Sequence, residues 1–215
     1  MTLLSPWGEK LDRKRPLFEY PRMQLQRGSF TCLNGVWEYQ ITDGKEPSRT
    51  SGWKHILVPF ALGSKLSGTD DQLLPGQVLW YRRYFNYHLT SDMTLMNFEA
   101  VDQCCTVYIN GIEAGSHNGG YAPFSINVTG LVKKHNEVLV KVTDDTDRGL
   151  YAYGKQMLEH GTKWYTPSSG IWQTVWMEAV APAAISRVKY ITDIDRSTVS
   201  MEFTMRRNAV GDVRT

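Results

Sequence analysis

Residues 98–128 read Phe-Glu-Ala-Val-Asp-Gln-Cys-Cys-Thr-Val-Tyr-Ile-Asn-Gly-Ile-Glu-Ala-Gly-Ser-His-Asn-Gly-Gly-Tyr-Ala-Pro-Phe-Ser-Ile-Asn-Val. Two runs rich in β-branched and aromatic residues, 106–109 and 112–114, flank Asn110-Gly111. A type I′ turn needs positive φ at both central residues, and Asn followed by Gly supplies this at the least steric cost. The spacing therefore predicts a β-hairpin. Gly115, Gly119 and Gly120 are expected to form a wide, flexible turn that carries His117 on the surface, after which Tyr121, Phe124 and Ile126 open another apolar run.

Working outward, the same period of two recurs along the chain. In 33–41, Val36 or Trp37 shares one face with Tyr39 and Ile41; in 138–142, Val138, Val140 and Val142 share one face. The runs 53–59, 78–85 and 95–100 also read as strands, and 169–178 reads as one closing strand. Between them lie polar or Gly/Pro-rich loops, 43–52, 61–77 and 144–167. The chain is all-β on this reading. Residues 1–30 are rich in Pro, Arg and Lys without periodicity, and predict an extended arm anchored by Trp7 and Phe18. A short Ala/Pro linker precedes two more strand-like runs, 185–191 and 198–203.

With 215 residues, 41% hydrophobic and 21% charged, the chain has the means to build one sizeable sandwich core. A net charge of +2 gives no field for nucleic acid or an anionic membrane, so neither is expected as a partner. The first thirty residues lack the apolar core of a signal peptide and no stretch approaches a membrane span, so a cytoplasmic location is expected. Cys32 and the adjacent Cys104 and Cys105 cannot make an even disulfide framework and are expected as free thiols. The sequon at Asn127 is then idle.

Several segments together carry a resemblance. Val101-Asp102, an alternating strand, Asn110-Gly111 and Gly-Ser-His-Asn-Gly-Gly-Tyr-Ala-Pro-Phe at 115–124 are joined by Trp-Tyr-Arg-Arg at 80–83 and Ser-Gly-Ile-Trp-Gln-Thr-Val-Trp at 169–176. Over about 33–180 the pattern resembles the N-terminal sugar-binding domain of glycoside hydrolase family 2, which includes β-galactosidases, β-glucuronidases and β-mannosidases. The resemblance implies a jelly-roll β-sandwich of galactose-binding-like type over 31–180, after an arm at 1–30. It also implies that 181–215 opens an immunoglobulin-like domain, and that the parent enzyme is β-galactosidase-like. Such a domain takes roughly 100 residues, so the tail is expected to be incomplete and the chain truncated.

Retaining glycoside hydrolysis needs two carboxyl groups flanking the sugar. The resemblance places both on a (β/α)₈ barrel, which takes roughly 200 residues or more. No catalytic residue is therefore expected here, and the chain should be inactive alone; its implied partners are the catalytic barrel and, through it, carbohydrate. Asn136-Glu137 imitates the family's catalytic dipeptide but opens a sandwich strand. Arg82 and Arg83 alternate across the sheet and cannot form one fork, which favours structural pairing. There is no Gly-rich phosphate loop, zinc spacing or Gly-x-Ser-x-Gly elbow, and the acidic loop 143–148 lacks the offsets of an EF-hand, so no cofactor or metal is assigned.

Sugar recognition combines aromatic faces with hydrogen-bonding side chains. The loop following 143 has that mixture, and Asp144, Asp145, Lys155, Gln156, Trp164 and Tyr165 are the candidate substrate-binding residues. The resemblance implies that loops of this domain reach the mouth of the barrel. Two rival roles remain: a free-standing carbohydrate-binding module, and a structural domain whose aromatics serve the core or an interface. The unpaired edges of the tail strands also offer a contact for a second copy, giving a homo-oligomer.

Overall fold

The computed structural model describes residues 4–90 and 92–206. In chain order its strands are β1 (Thr31–Cys32), β2 (Gly35–Thr42), β3 (Lys54–Val58), β4 (Val78–Asn86), β5 (Met93–Phe98), β6 (Val101–Asp102) and β7 (Cys104–Ile109). They continue as β8 (Ile112–Asn118), β9 (Phe124–Asn127), β10 (His135–Thr143), β11 (Gly170–Ile171), β12 (Val175–Val180), β13 (Ile185–Asp193) and β14 (Thr198–Met205). A six-stranded antiparallel sheet has the order β3-β2-β4-β10-β7-β8. A four-stranded one has the order β1-β12-β5-β9, and the ribbon β6-β11 joins strand ends at one side. The result is a galactose-binding-like β-sandwich.

The core follows from the alternation. Trp37, Tyr39, Leu79, Tyr81, Val107, Val138, Val140 and Val142 line the inner face of the larger sheet, and Met96, Phe98, Ile126, Val175 and Met177 belong to the same cluster from the smaller one. Each fully buried aliphatic side chain contributes roughly 1.5–3 kcal/mol. Val36 points outward, which resolves the face of β2 in favour of Trp37. The predicted hairpin forms at Asn110 and Gly111, with φ of 53° and 81°. Asn110 also donates through its amide to Leu131 O and Asn136 Oδ1, and accepts from Glu137 N. Asn136 is consumed in that turn, since its side chain also bonds both backbone groups of Lys133.

Three local expectations are corrected. Gly115 does not make a turn: it lies within β8, and a Cβ there would sit 3.3 Å from Ile126, so close approach of strands is what requires the glycine. His117 is likewise in β8, half-buried and stacked on Phe124 at 4.3 Å rather than displayed on a turn. The closing run at 169–178 is broken into β11 and β12, because Gly170 has φ of 86° and presses on the Tyr81 hydroxyl.

The arm is anchored differently from the expectation. Trp7 is 82% exposed on a four-residue helix, Pro6–Glu9, that buries nothing, and Phe18 is 40% exposed. The anchors are Tyr20, Arg22, Arg27 and Phe30, which cover the outer face of the smaller sheet. Tyr20 and Phe30 pack on Trp176, and the Arg22 guanidinium lies 4.9 Å from the Trp176 ring centre. The reason is electrostatic: Glu178 on β12 is fully buried and needs donors, and the arm supplies three, Tyr20 (2.8 Å), Arg22 (3.4 Å) and Arg27 (2.8 Å). Arg27 continues to Ile185 O, tying in the exposed β13-β14 hairpin. Arg82 and Arg83 part as expected: Arg82 pairs with Glu38 at 2.8 Å, and Arg83 donates inward to Leu33 O and Asn34 O. The three cysteines are free thiols.

Candidate functional site

One end of the sandwich gathers the start of β7, the end of β8, β6-β11 and the long loop after β10. Asp144 opens that loop, and its carboxylate accepts from Thr146 N and from Ser169 Oγ, both at 2.7 Å. It thereby staples the loop's first residues to its last. Only 4% of Asp144 is exposed, and burial pushes its pKa up.

Gln156 is a second internal brace. Its carbonyl oxygen accepts from Ser168 N (2.6 Å) and Ser168 Oγ (3.3 Å), and its amide donates to Asp102 Oδ2 at 3.5 Å. Asp102, opposite Gly170 in the ribbon, is 5% exposed. Burial, reinforced by the Asp144 charge, pushes its carboxyl up to about 7. A Cβ on Gly120 would run into this carboxyl, so the β8-β9 turn closes directly over Asp102. Trp172 Nε1 donates to Gly120 O at 2.8 Å, and Tyr121 stands edge-on to Trp172.

The other candidates face water. Tyr165 N donates to Lys155 O (2.9 Å), Met157 N to Tyr165 O (3.2 Å) and Trp164 N to His160 O (3.0 Å), folding the loop onto itself. This presents Lys155, Trp164 (47% exposed) and Tyr165 (64% exposed) at its tip, while Asp145 is exposed at its start. The six predicted residues thus share one loop but split into two inward braces, Asp144 and Gln156, and four outward side chains. Asp102, Gly120, Tyr121 and Trp172 were not singled out from sequence. Val101-Asp102 served there only as a family marker, and strand pairing is what brings it to the site.

The described residues contain eight buried side-chain polar atoms without a hydrogen-bond partner. Six come from the strand ends and loops of this end: Asp102 Oδ1, Gln103 Nε2, His117 Nε2, Thr146 Oγ1, Asp147 Oδ1 and His160 Nδ1. Unpartnered buried polar atoms are costly and uncommon, so their concentration separates this end from the rest of the sandwich. Among the described residues, no group of three or more His, Cys, Asp or Glu is placed to hold a metal ion, and no helix is long and apolar enough to cross a membrane.

Fold and end face together define a galactose-binding-like sandwich module. Residues 68–174 match the glycosyl hydrolase 2 galactose-binding domain-like family, and the chain carries the N-terminal galactose-binding-like domain of glycoside hydrolase family 2. It is 25% identical over 163 residues to the β-galactosidase BoGH2A of Bacteroides ovatus, covering 70% of this chain and 18% of that protein. It is 30% identical over 119 residues to a β-galactosidase of Thermoanaerobacter pseudethanolicus (54% and 16%), and 28% identical over 117 residues to a β-glucuronidase of Formosa agariphila (52% and 12%). The chain thus spans less than a fifth of each of these curated relatives. The fold is shared with the β-glucuronidase of Ruminococcus gnavus solved with an N1-substituted uronic isofagomine. There the TM-score is 0.63 at 21% identity, covering 88% of this chain and 36% of that one.

Proposed function

We propose that this chain serves as the non-catalytic module of a glycosidase that hydrolyses O-glycosidic bonds in carbohydrate metabolism, β-galactosidase-like, and that its loop end helps shape the substrate site of the full-length enzyme. The observation that carries this reading is the concentration of unpartnered buried polar atoms beneath the loop bearing Trp164 and Tyr165. Asp144 and Gln156 brace the loop from within, and the exposed aromatics and Lys155 are free to meet a sugar and the surface around it. The names of the relatives support the glycosidase class.

The test is Trp164→Ala with Tyr165→Ala in the full-length enzyme. The expected outcome is a fall in kcat/KM of about tenfold, equivalent to about 1.4 kcal/mol, carried mainly by KM. Both side chains are exposed, so the unfolding midpoint should stay within about 0.5 kcal/mol of the unaltered protein. An unchanged kcat/KM would reduce the module to a scaffold.

A further inference from the structure

The outer face of the six-stranded sheet carries a second feature, away from the Trp164–Tyr165 tip. Strand register sets six residues in two adjacent rows. Lys141 lies opposite Thr106 and Thr106 opposite Ser116, while two residues along, Thr143 lies opposite Cys104 and Cys104 opposite Asn118. These residues line a hollow of about 230 Å³. They share the outward face because the alternate positions Cys105, Val107, Val140 and Val142 belong to the core. Strands spaced by about 4.8 Å and side chains repeating at about 6.7 Å along a strand make this a rigid patch of roughly 10 by 7 Å, about the footprint of one pyranose ring.

The chemistry of the patch is one-sided. Every one of the six side chains offers an N–H, O–H or S–H donor. Lys141 forms no ion pair within the described residues. Its ammonium lies 5.5 Å from the Trp80 ring centre, a contact that positions the charge without neutralising it. At the opposite corner the Tyr151 hydroxyl bonds the Cys104 thiol, Tyr151 is 41% exposed, and the Asp144 and Asp145 carboxylates bear on that thiol. The hollow therefore has a cation with hydroxyl donors at one corner, and an aromatic ring with carboxylate acceptors at the other.

We propose that this hollow binds an acidic monosaccharide unit, a hexuronate or equivalent carboxylate-bearing sugar. Its carboxylate meets Lys141, Thr106 and Ser116, its hydroxyls turn toward Asn118 and Asp145, and its C–H face lies against Tyr151. A bare oxyanion satisfies only the Lys141 corner and meets the aspartates at the other. A neutral hexose leaves the ammonium without its counter-charge. The site does not depend on the proposed role of the loop tip, and its residues respond separately.

The experiment is amide-detected NMR of this 215-residue chain, titrated to tens of millimolar with glucuronate, galactose and sulfate in parallel. Glucuronate is expected to shift the amides of Thr106, Ser116, Asn118 and Lys141, while galactose and sulfate leave them in place. Lys141→Gln should abolish the response. Thr106→Val keeps the β-branched shape and removes one donor, and should weaken binding about fivefold, equivalent to about 1 kcal/mol. This variant decides the matter should Lys141→Gln disturb the packing of Trp80. No shifts with glucuronate, equal shifts with galactose or sulfate, or an undiminished response in Thr106→Val would overturn the proposal. Shifts confined to Trp164 and Tyr165 would also overturn it, while supporting the separate role of the loop tip.

Discussion

Two buried carboxylates sit at different places in the same sandwich and live in opposite surroundings. Glu178 is fully buried but receives Tyr20, Arg22 and Arg27. Asp102, 5% exposed, receives one long bond from Gln156, faces the Asp144 charge and leaves Oδ1 without a partner among the described residues. Glu178 also holds the phenol of Tyr20 in its protonated form, so that burial and the neighbouring carboxylate together push its pKa up to about 12. A buried charge surrounded by donors is a fastening, and removing either side of it is strongly destabilising. A buried charge short of donors is a local instability that the rest of the fold has to support. In this molecule it lies beneath the loop proposed to face substrate.

Removing the fastening should have the largest effect. Glu178→Gln strands two partly buried guanidinium groups and is expected to cost about 3 kcal/mol in urea unfolding, with the arm released to proteolysis before the sandwich opens. Loss of the arm without loss of stability would break the comparison. Gly120→Ala comes next. The new methyl group must displace the Asp102 carboxyl or the turn, at a cost of about 2 kcal/mol, and the altered Trp172 environment should be visible in fluorescence.

Asp102→Asn is the smallest and the most diagnostic. A carboxyl whose ordinary pKa of 3.8 is raised to about 7 in the fold keeps a proton there that the unfolded chain has already released. Its contribution therefore favours the fold at low pH and is lost as pH rises through about 7. The substitution removes that slope, so the variant should gain on the unaltered chain as pH rises from about 4 to about 8, and not below. The new amide finds no assured acceptor, which limits the gain to about 1 kcal/mol. Parallel stability curves for the two proteins across that range would show that Asp102 is already well compensated.

The strands and the family were legible because their signals are local. Alternation in β2, β4 and β10, and Asn110-Gly111 with its neighbours, need no knowledge of distant residues. The failures share the opposite cause. Gly115 answers to Ile126 on another strand, Gly170 to Tyr81, and the arm to Glu178 at the far end of the domain, so Trp7 looked like an anchor only because it is large and apolar. In the candidate site, residue types identified the right loop. They did not separate Asp144 and Gln156, which turn inward, from Trp164 and Tyr165, which turn out. Asp102 was out of reach altogether, since its setting is made by Gly120, Gln156 and Gly170 from three other segments.

The clasp between the arm and β12 also dictates an order of events during biosynthesis. Arg22 and Arg27 precede Glu178 by 156 and 151 residues, and among the described residues β1 pairs with β12 alone. A ribosome that makes the arm before β12 must complete almost the whole sandwich before the arm has anything to hold. Contacts so distant in sequence are slow to close. Until then the outer side of β5, with Asn97 and its neighbours, faces solvent, so the nascent domain offers chaperones a defined apolar surface that disappears when β12 arrives.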